Sequence, residues 1–200
     1  MPERKAGRLS MRLLLLAVAA AVAVAGLFAV LLWREGQTAK GESDLKARLN
    51  DPATQIPTIR EMAQEGISYL DAHLQSEDRV IHNSAILAYG ERKGDAEATR
   101  RLVSLCRGAD AEDAHWALIA LASQAAEEAK GLIQDSARAE APRLREAACI
   151  AIGRCRDESL RPLLDQLAED PDSTVRGAAR SVLRRMRGGH GGSGAPAPHP

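Results

Sequence analysis

The sequence predicts an all-α protein, a short helical-repeat solenoid preceded by one N-terminal transmembrane helix. Three observations carry this. Aromatic residues are limited to Phe28, Trp33, Tyr69, Tyr89 and Trp116, whereas a sandwich or barrel fills its strands with aromatic and β-branched side chains. Ala, Leu and Arg, all good helix formers, take their place. Residues 13–33 form an uninterrupted apolar run, and the chain beyond residue 80 repeats its own pattern every 31 or 32 residues.

The N-terminal tail, 1–12, holds Arg4, Lys5, Arg8 and Arg12 against Glu3 alone. The run that follows, Leu13 to Trp33, is 21 residues long; at about 1.5 Å per residue a helix of that length crosses the roughly 30 Å of a bilayer's hydrocarbon. Trp33 stands at its edge, where an indole favours the interface, and Arg12 and Arg34 close the two ends. A cleaved signal peptide is the rival reading, since Ala23-Val24-Ala25 resembles a cleavage site. The run exceeds a signal core of about 7–15 residues, however, and cleavage would leave Leu27 to Trp33 as an apolar new terminus. No Cys directly follows the run, so a lipoprotein anchor is excluded. The segment therefore reads as an uncleaved signal anchor with the lipid bilayer as its partner.

Orientation rests on fewer charges. Arg34, Lys40, Lys46 and Arg48 after the run equal the four basic residues before it. The denser N-terminal set places the N-terminus in the cytoplasm and the repeat domain outside it. Free cysteines pull the other way, because an oxidising compartment disfavours them. Within the run, Ala17, Ala21, Ala25 and Ala29 recur every four residues along one stripe. In lipid, helices associate where small side chains let backbones approach, so this stripe is a candidate surface for homodimerisation or for packing on a partner's span. An Ala-rich composition produces such stripes as well.

Residues 34–54 read as a polar juxtamembrane linker that turns helical from Asp44. The repeat domain follows over 55–187. Residues 188–200, GGHGGSGAPAPHP, show no apolar periodicity and are expected to be disordered.

Four copies align in the domain, starting at Ile81, Asp113, Leu144 and Val175. One column is Ala throughout (Ala85, Ala117, Ala148, Ala179) and another is apolar throughout (Tyr89, Leu121, Ile152, Leu183). A small residue in the first column fits helices that approach closely, and stacked units of this period share a core. A second helix follows in three copies, marked by Leu102, Val103 and Cys106, by Leu132, Ile133 and Ser136, and by Leu163, Leu164 and Leu167, each triplet on one helical face. Asp95 and Asp157 suit N-caps of second helices. Asp110, with Asp113 three residues later, and Asp172 suit caps of first helices, and Pro142 suits a first turn. The fourth copy ends at Arg187 without a second helix. Residues 57–74 form a shorter, degenerate pair upstream.

These residues resemble HEAT-type helical repeats, especially the short phycobilisome-lyase HEAT-like variety. The turn and first helix from Asp170 to Leu183 carry the closest resemblance, with Leu144 to Gly153 next; His82 and Ala114 stand where that signature has Arg. The resemblance covers roughly residues 80–187. It implies an antiparallel helix-pair solenoid and protein–protein scaffolding. It carries over no catalytic residue.

Site chemistry is sparse in the sequence. There is no Gly-rich phosphate loop, paired-Cys motif or Gly-x-Ser-x-Gly elbow, so an enzyme is disfavoured and no cofactor is expected. Cys106, Cys149 and Cys155 lack the spacing of a metal knuckle and read as buried apolar thiols. His82 and His115, near the starts of neighbouring first helices, are weighed as metal ligands with Glu112 or Asp113 against solvated helix-start residues, and the solvated reading is favoured. Basic and acidic residues balance at 27 each, and stacking aromatics are scarce, so nucleic acid is disfavoured. Charge is nevertheless sorted: acids gather over 108–140, and Arg176, Arg180, Arg184, Arg185 and Arg187 gather at the end. That Arg cluster is a candidate partner-binding patch, set against the polar cap that a last repeat requires. The expected function is a membrane-tethered scaffold or adaptor for an unidentified protein partner, with an accessory or regulatory subunit of a membrane enzyme complex as the alternative.

Overall fold

The computed structural model describes residues 41–188, and its regular elements there are all helices. The apolar run 13–33 and the tail beyond 188 lie outside the described residues. Among the described residues no helix is long and apolar enough to cross a membrane. Residues 41–50, at the end of the expected linker, are helical.

From Arg48 onward the chain forms one unit built of antiparallel pairs. α1 (Gln55–Glu65) and α2 (Ile67–His73) make the shorter leading pair. Gly66 divides them at a φ of 106°, a backbone conformation that L side chains rarely adopt. The first full copy is α3 (Arg79–Glu91) with α4 (Ala96–Cys106), and the second is α5 (Ala111–Gln124) with α6 (Ala126–Ala137). The third is α7 (Pro142–Cys155) followed by a 3₁₀ turn (Glu158–Leu160) and α8 (Arg161–Leu167). α9 (Ser173–Gly188) is the first helix of the fourth copy. First helices pack on one another in succession, and each second helix packs on its own first helix and on the next.

The column residues lie where their spacing places them. Ala85, Ala117, Ala148 and Ala179 have no exposed surface at all, as do Tyr89, Leu121 and Ile152. Leu102, Ile133 and Leu164 of the second helices are likewise fully buried. A column without side-chain bulk lets the first helices come close, and the flanking aliphatic columns then remove apolar area from water at roughly 25 cal/mol per Å².

The helix starts follow from the aspartates. Asp95 Oδ1 accepts the N–H groups of Glu97 (2.9 Å) and Ala98 (3.1 Å). Asp110 does the same for Glu112 (2.8 Å) and Asp113 (3.1 Å), and Asp172 for Thr174 (2.8 Å) and Val175 (3.3 Å). Asp78 caps α3 in the same way, at Val80 (2.9 Å) and Ile81 (3.4 Å). Asp157 caps the 3₁₀ turn instead of an α-helix, accepting from Ser159 at 2.9 Å. Pro162 explains the difference: it has no N–H to give to a carbonyl four residues back, so the α-helix begins beside it and a tighter turn fills the gap.

First helices approach one another closely at Gly90. A Cβ there would lie 2.9 Å from Ala120 Cβ and 3.0 Å from both Ala120 Cα and its carbonyl oxygen. Gly→Ala in a helix ordinarily gains about 1 kcal/mol. Gly90→Ala is instead expected to cost about 2 kcal/mol, because backbone must move. Gly153 has only the Val182 methyls at 3.1 and 3.3 Å, which can rotate, so Gly153→Ala should be near neutral. Denaturant unfolding of the two variants checks this; equal effects at both sites would refute the close approach.

Candidate functional site

Three of the seven acids in the tract, Asp110, Glu112 and Asp113, join neighbouring copies. His82 Nε2 donates to Asp113 Oδ1 at 2.8 Å, and Arg79 reaches Asp110 and Asp113 at 3.2 Å each. Asp113 therefore serves the junction of copies one and two, not a reciprocal cap. Arg143 grips Glu112 with two nitrogens at 2.9 and 3.0 Å, takes Glu146 at 2.9 Å, and lies over the Trp116 ring, whose Nε1–H donates to Glu112 at 2.7 Å. The Arg143 hydrogen bonds hold the Glu112 carboxyl below the usual carboxylate range. His115 is buried and donates Nδ1–H to the Arg143 carbonyl at 3.1 Å; burial lowers its pKa. The two histidines thus serve different junctions, and among the described residues no group of His, Cys, Asp and Glu could hold a metal. The cysteines are free, and burial pushes the thiols of Cys106 and Cys149 up to about 12.

The C-terminal arginines divide into three roles. Arg176 Nη1 donates to the carbonyls of Asp170 (2.7 Å) and Pro171 (2.8 Å). Arg145, one repeat earlier, clasps Ala139 (2.9 Å) and Glu140 (2.7 Å) identically. This is a clamp on the turns ahead of α7 and α9. Arg176, Arg180, Arg184 and Arg187 follow at helical spacing along one stripe of α9. Arg185 lies about half a turn away at about 100° per residue, so the five do not form one patch.

The stripe has a structural meaning visible in the register. The positions equivalent to Arg180 are Ile86, Leu118 and Cys149, all at most 1% exposed. Those equivalent to Arg184 are Gly90, Ala122 and Gly153. These positions face the next copy: Gly90 meets Ala120, Gly153 meets Val182, and Cys149 Sγ lies 3.9 Å from the Val175 carbonyl. In α9 the same face carries exposed Arg180 and Arg184, which closes the stack with charge where earlier copies stack with small and apolar groups. Arg180→Ile with Arg184→Gly restores the stacking face, and is expected to make the purified chain self-associate where the wild type does not grow. Sedimentation at matched concentrations tests this. A double variant that sediments like wild type would remove the capping role.

Arg185 belongs to a groove of about 700 Å³ between the C-terminal ends of α7 and α9. Its rim carries Arg154, Arg156, Arg185 and Glu158, and its floor Val182 and Met186. The three arginines are exposed and make no ion pair among the described residues. Arg156 holds a left-handed conformation, φ 54°, as the C-cap of α7, a place that favours glycine. A second groove, near the ends of α1 and α3, has both of its arginines engaged: Arg92 binds Asp95 at 2.8 Å and the Ala63 carbonyl, and Arg60 lies 3.4 Å from Glu91, while Lys93 beside them is exposed and makes no ion pair among the described residues. The C-terminal groove therefore carries the larger set of unengaged cations, three arginines against one lysine. The sequence signalled Arg185 but assigned it to the stripe, and it gave no sign that Arg154 and Arg156 would join it.

The stripe Ala17, Ala21, Ala25 and Ala29 lies outside the described residues. Residues 99–184 match a family model described as HEAT repeats. No curated protein matches the chain.

Proposed function

We infer, from the premise that residues 99–184 are HEAT repeats, that this chain is a protein-interaction scaffold held at a membrane by residues 13–33, with no catalysis of its own. HEAT repeats generally mediate protein–protein interaction, and the repeat register carries the reading. The polar groups found at the junctions bind one another and leave no convergent set for a reaction. Tethering rests on the length and apolarity of the N-terminal run. It would confine the binding surface near the bilayer and raise its effective concentration for a membrane-associated partner. The Ala stripe of the span favours the alternative of an accessory subunit, since it would let the helix pack on another protein's span.

Affinity capture of the full chain from detergent-solubilised membranes tests both. A partner retained by the full chain and lost when residues 55–187 are removed supports the scaffold. Retention by residues 1–40 alone favours the accessory subunit. Absence of any specific protein under both conditions would sink the interaction reading. For topology, a reporter active only outside the cytoplasm, fused after Arg187, is expected to be active. Activity of a cytoplasmic reporter alone would reverse the orientation, and a product shortened by about 25 residues would indicate signal cleavage.

A further inference from the structure

The two grooves occupy equivalent places and differ in charge. Each lies where the C-terminal part of one first helix meets the end of the next, α1 with α3 and α7 with α9. The first is lined by Arg60, Arg92 and Lys93 with Glu91 and Asp95, and its two acids hold both arginines. The second is lined by Arg154, Arg156 and Arg185, and its acid, Glu158, faces Arg161 at 3.6 Å. None of its three arginines makes an ion pair among the described residues. The repeat register shows how the difference arises. The position of Glu91 in the first copy is held by Arg154 in the third and by Arg185 in the fourth. An acid that neutralises its own groove thus gives way to a cation on each wall of the other.

Arg156 is an independent sign. At φ 54° it is the non-glycine residue with a positive φ among the described residues, whereas Gly66 and Gly94 fill the other such positions. An L side chain there carries a backbone strain that glycine avoids, and residues of this kind gather at binding sites.

We propose that the groove between the ends of α7 and α9 binds a phosphate-bearing ligand, with Arg154, Arg156 and Arg185 holding its phosphomonoester or pyrophosphate group. A guanidinium is a rigid fork that matches phosphate oxygens two at a time. Three of them suit a group that carries close to two negative charges near neutral pH. The volume of about 700 Å³ leaves room for an organic body beside the phosphate. Two of the arginines also have a local role. Arg154 and Arg185 stand in the last turns of α7 and α9, where a cation complements the carbonyl end of a helix. Lysine serves that role too but lacks the fork, so substitution separates the two.

Sodium pyrophosphate is the probe, titrated into the full chain in non-ionic detergent micelles and followed by calorimetry. Saturable binding is expected. Arg154→Lys combined with Arg185→Lys should weaken it about tenfold or more and leave the thermal midpoint unchanged. Arg156→Gly should also weaken it, with a midpoint at or above wild type because the left-handed backbone is relieved; binding lost without stability lost is what a purely structural role does not produce. Lys93→Ala, in the other groove, should change nothing. The proposal is overturned by absence of saturable binding, by wild-type affinity in the lysine pair, or by an equal loss on Lys93→Ala, which marks diffuse attraction. Micelles doped with phosphatidic acid or with phosphatidylserine distinguish the source of the phosphate. Displacement of pyrophosphate by phosphatidic acid alone assigns the site to a lipid headgroup, and displacement by neither assigns it to a soluble phosphate ester. Equal displacement by both overturns selectivity for phosphate. The site stands apart from the scaffold reading: a chain that still captures a protein partner and fails to bind pyrophosphate loses this site alone.

Discussion

Ala148→Phe is expected to lower the thermal midpoint of the chain by roughly 10 °C, a loss on the order of 3 kcal/mol for a domain of this size. Ala148 has no exposed surface, and Ala147, Cys149, Ala151 and Ile152 around it are equally buried. α7 packs against α5 on one side and α9 on the other, so a benzyl group cannot enter without separating first helices. Close-packed interiors respond to added volume with off-rotamer side chains and backbone shifts. The damage should spread to both junctions of α7. A thermal melt followed by circular dichroism measures it, and an unchanged midpoint would mean that the Ala column faces outward.

Asp170→Ala is expected to cost roughly 3–5 kcal/mol, the range for breaking one partner out of a buried ion pair. The carboxylate is 6% exposed and the Arg145 side chain 13%. Asp170 accepts Arg145 Nε at 2.7 Å and Nη2 at 3.0 Å, and also the N–H of Asp172 at 2.8 Å. Removing it leaves a guanidinium facing the third turn with only the Ala139 and Glu140 carbonyls. Arg145's hydrogen bonds hold the Asp170 carboxyl below its ordinary value in the folded state. The stability it contributes is therefore complete above the unfolded carboxylate's pKa of about 3.9, and is lost as pH falls through the lower folded value. Lys130 acts likewise on Asp157, whose carboxyl is held down at about 2. Wild type should lose stability progressively below about pH 4, and Asp170→Asn should flatten that decline while lowering stability at neutral pH. Denaturant unfolding across pH measures both. A variant whose acid decline parallels wild type would remove Asp170 from the account.

The regular part of this architecture was legible because it depends on periodicity. Helix pairs, the Ala column and the caps at Asp95, Asp110 and Asp172 follow from spacing and residue type alone and match the structure, whereas Asp157 caps a 3₁₀ turn in place of the expected α-helix. The junction chemistry was not legible in that way. The Arg143–Glu112–Trp116 cluster and the Arg145–Asp170 pair join residues 25 to 31 apart in sequence, and the spacing of charges does not say which of several acids will face a given arginine. The 3₁₀ start before α8 turns on Pro162, a local effect masked by the longer pattern. Arg180 and Arg184 were visible as a basic cluster. Their role emerged only when the packed face of α3, α5 and α7 could be carried over to α9.

The stacking of copies also sets how the chain folds and comes apart. No side-chain hydrogen bond among the described residues reaches further along the chain than the 34 residues from Arg79 to Asp113. Each copy is thus assembled from sequence already close by, and loop closure never spans the whole domain. Low contact order of this kind favours rapid folding. Because each copy leans only on its neighbours, opening should begin at an end and travel one pair at a time. The leading pair is short and divided at Gly66, whereas α7 is held from both sides. Amide exchange would accordingly be fastest in α1 and α2 and slowest in α5 and α7, a gradient of protection running along the stack.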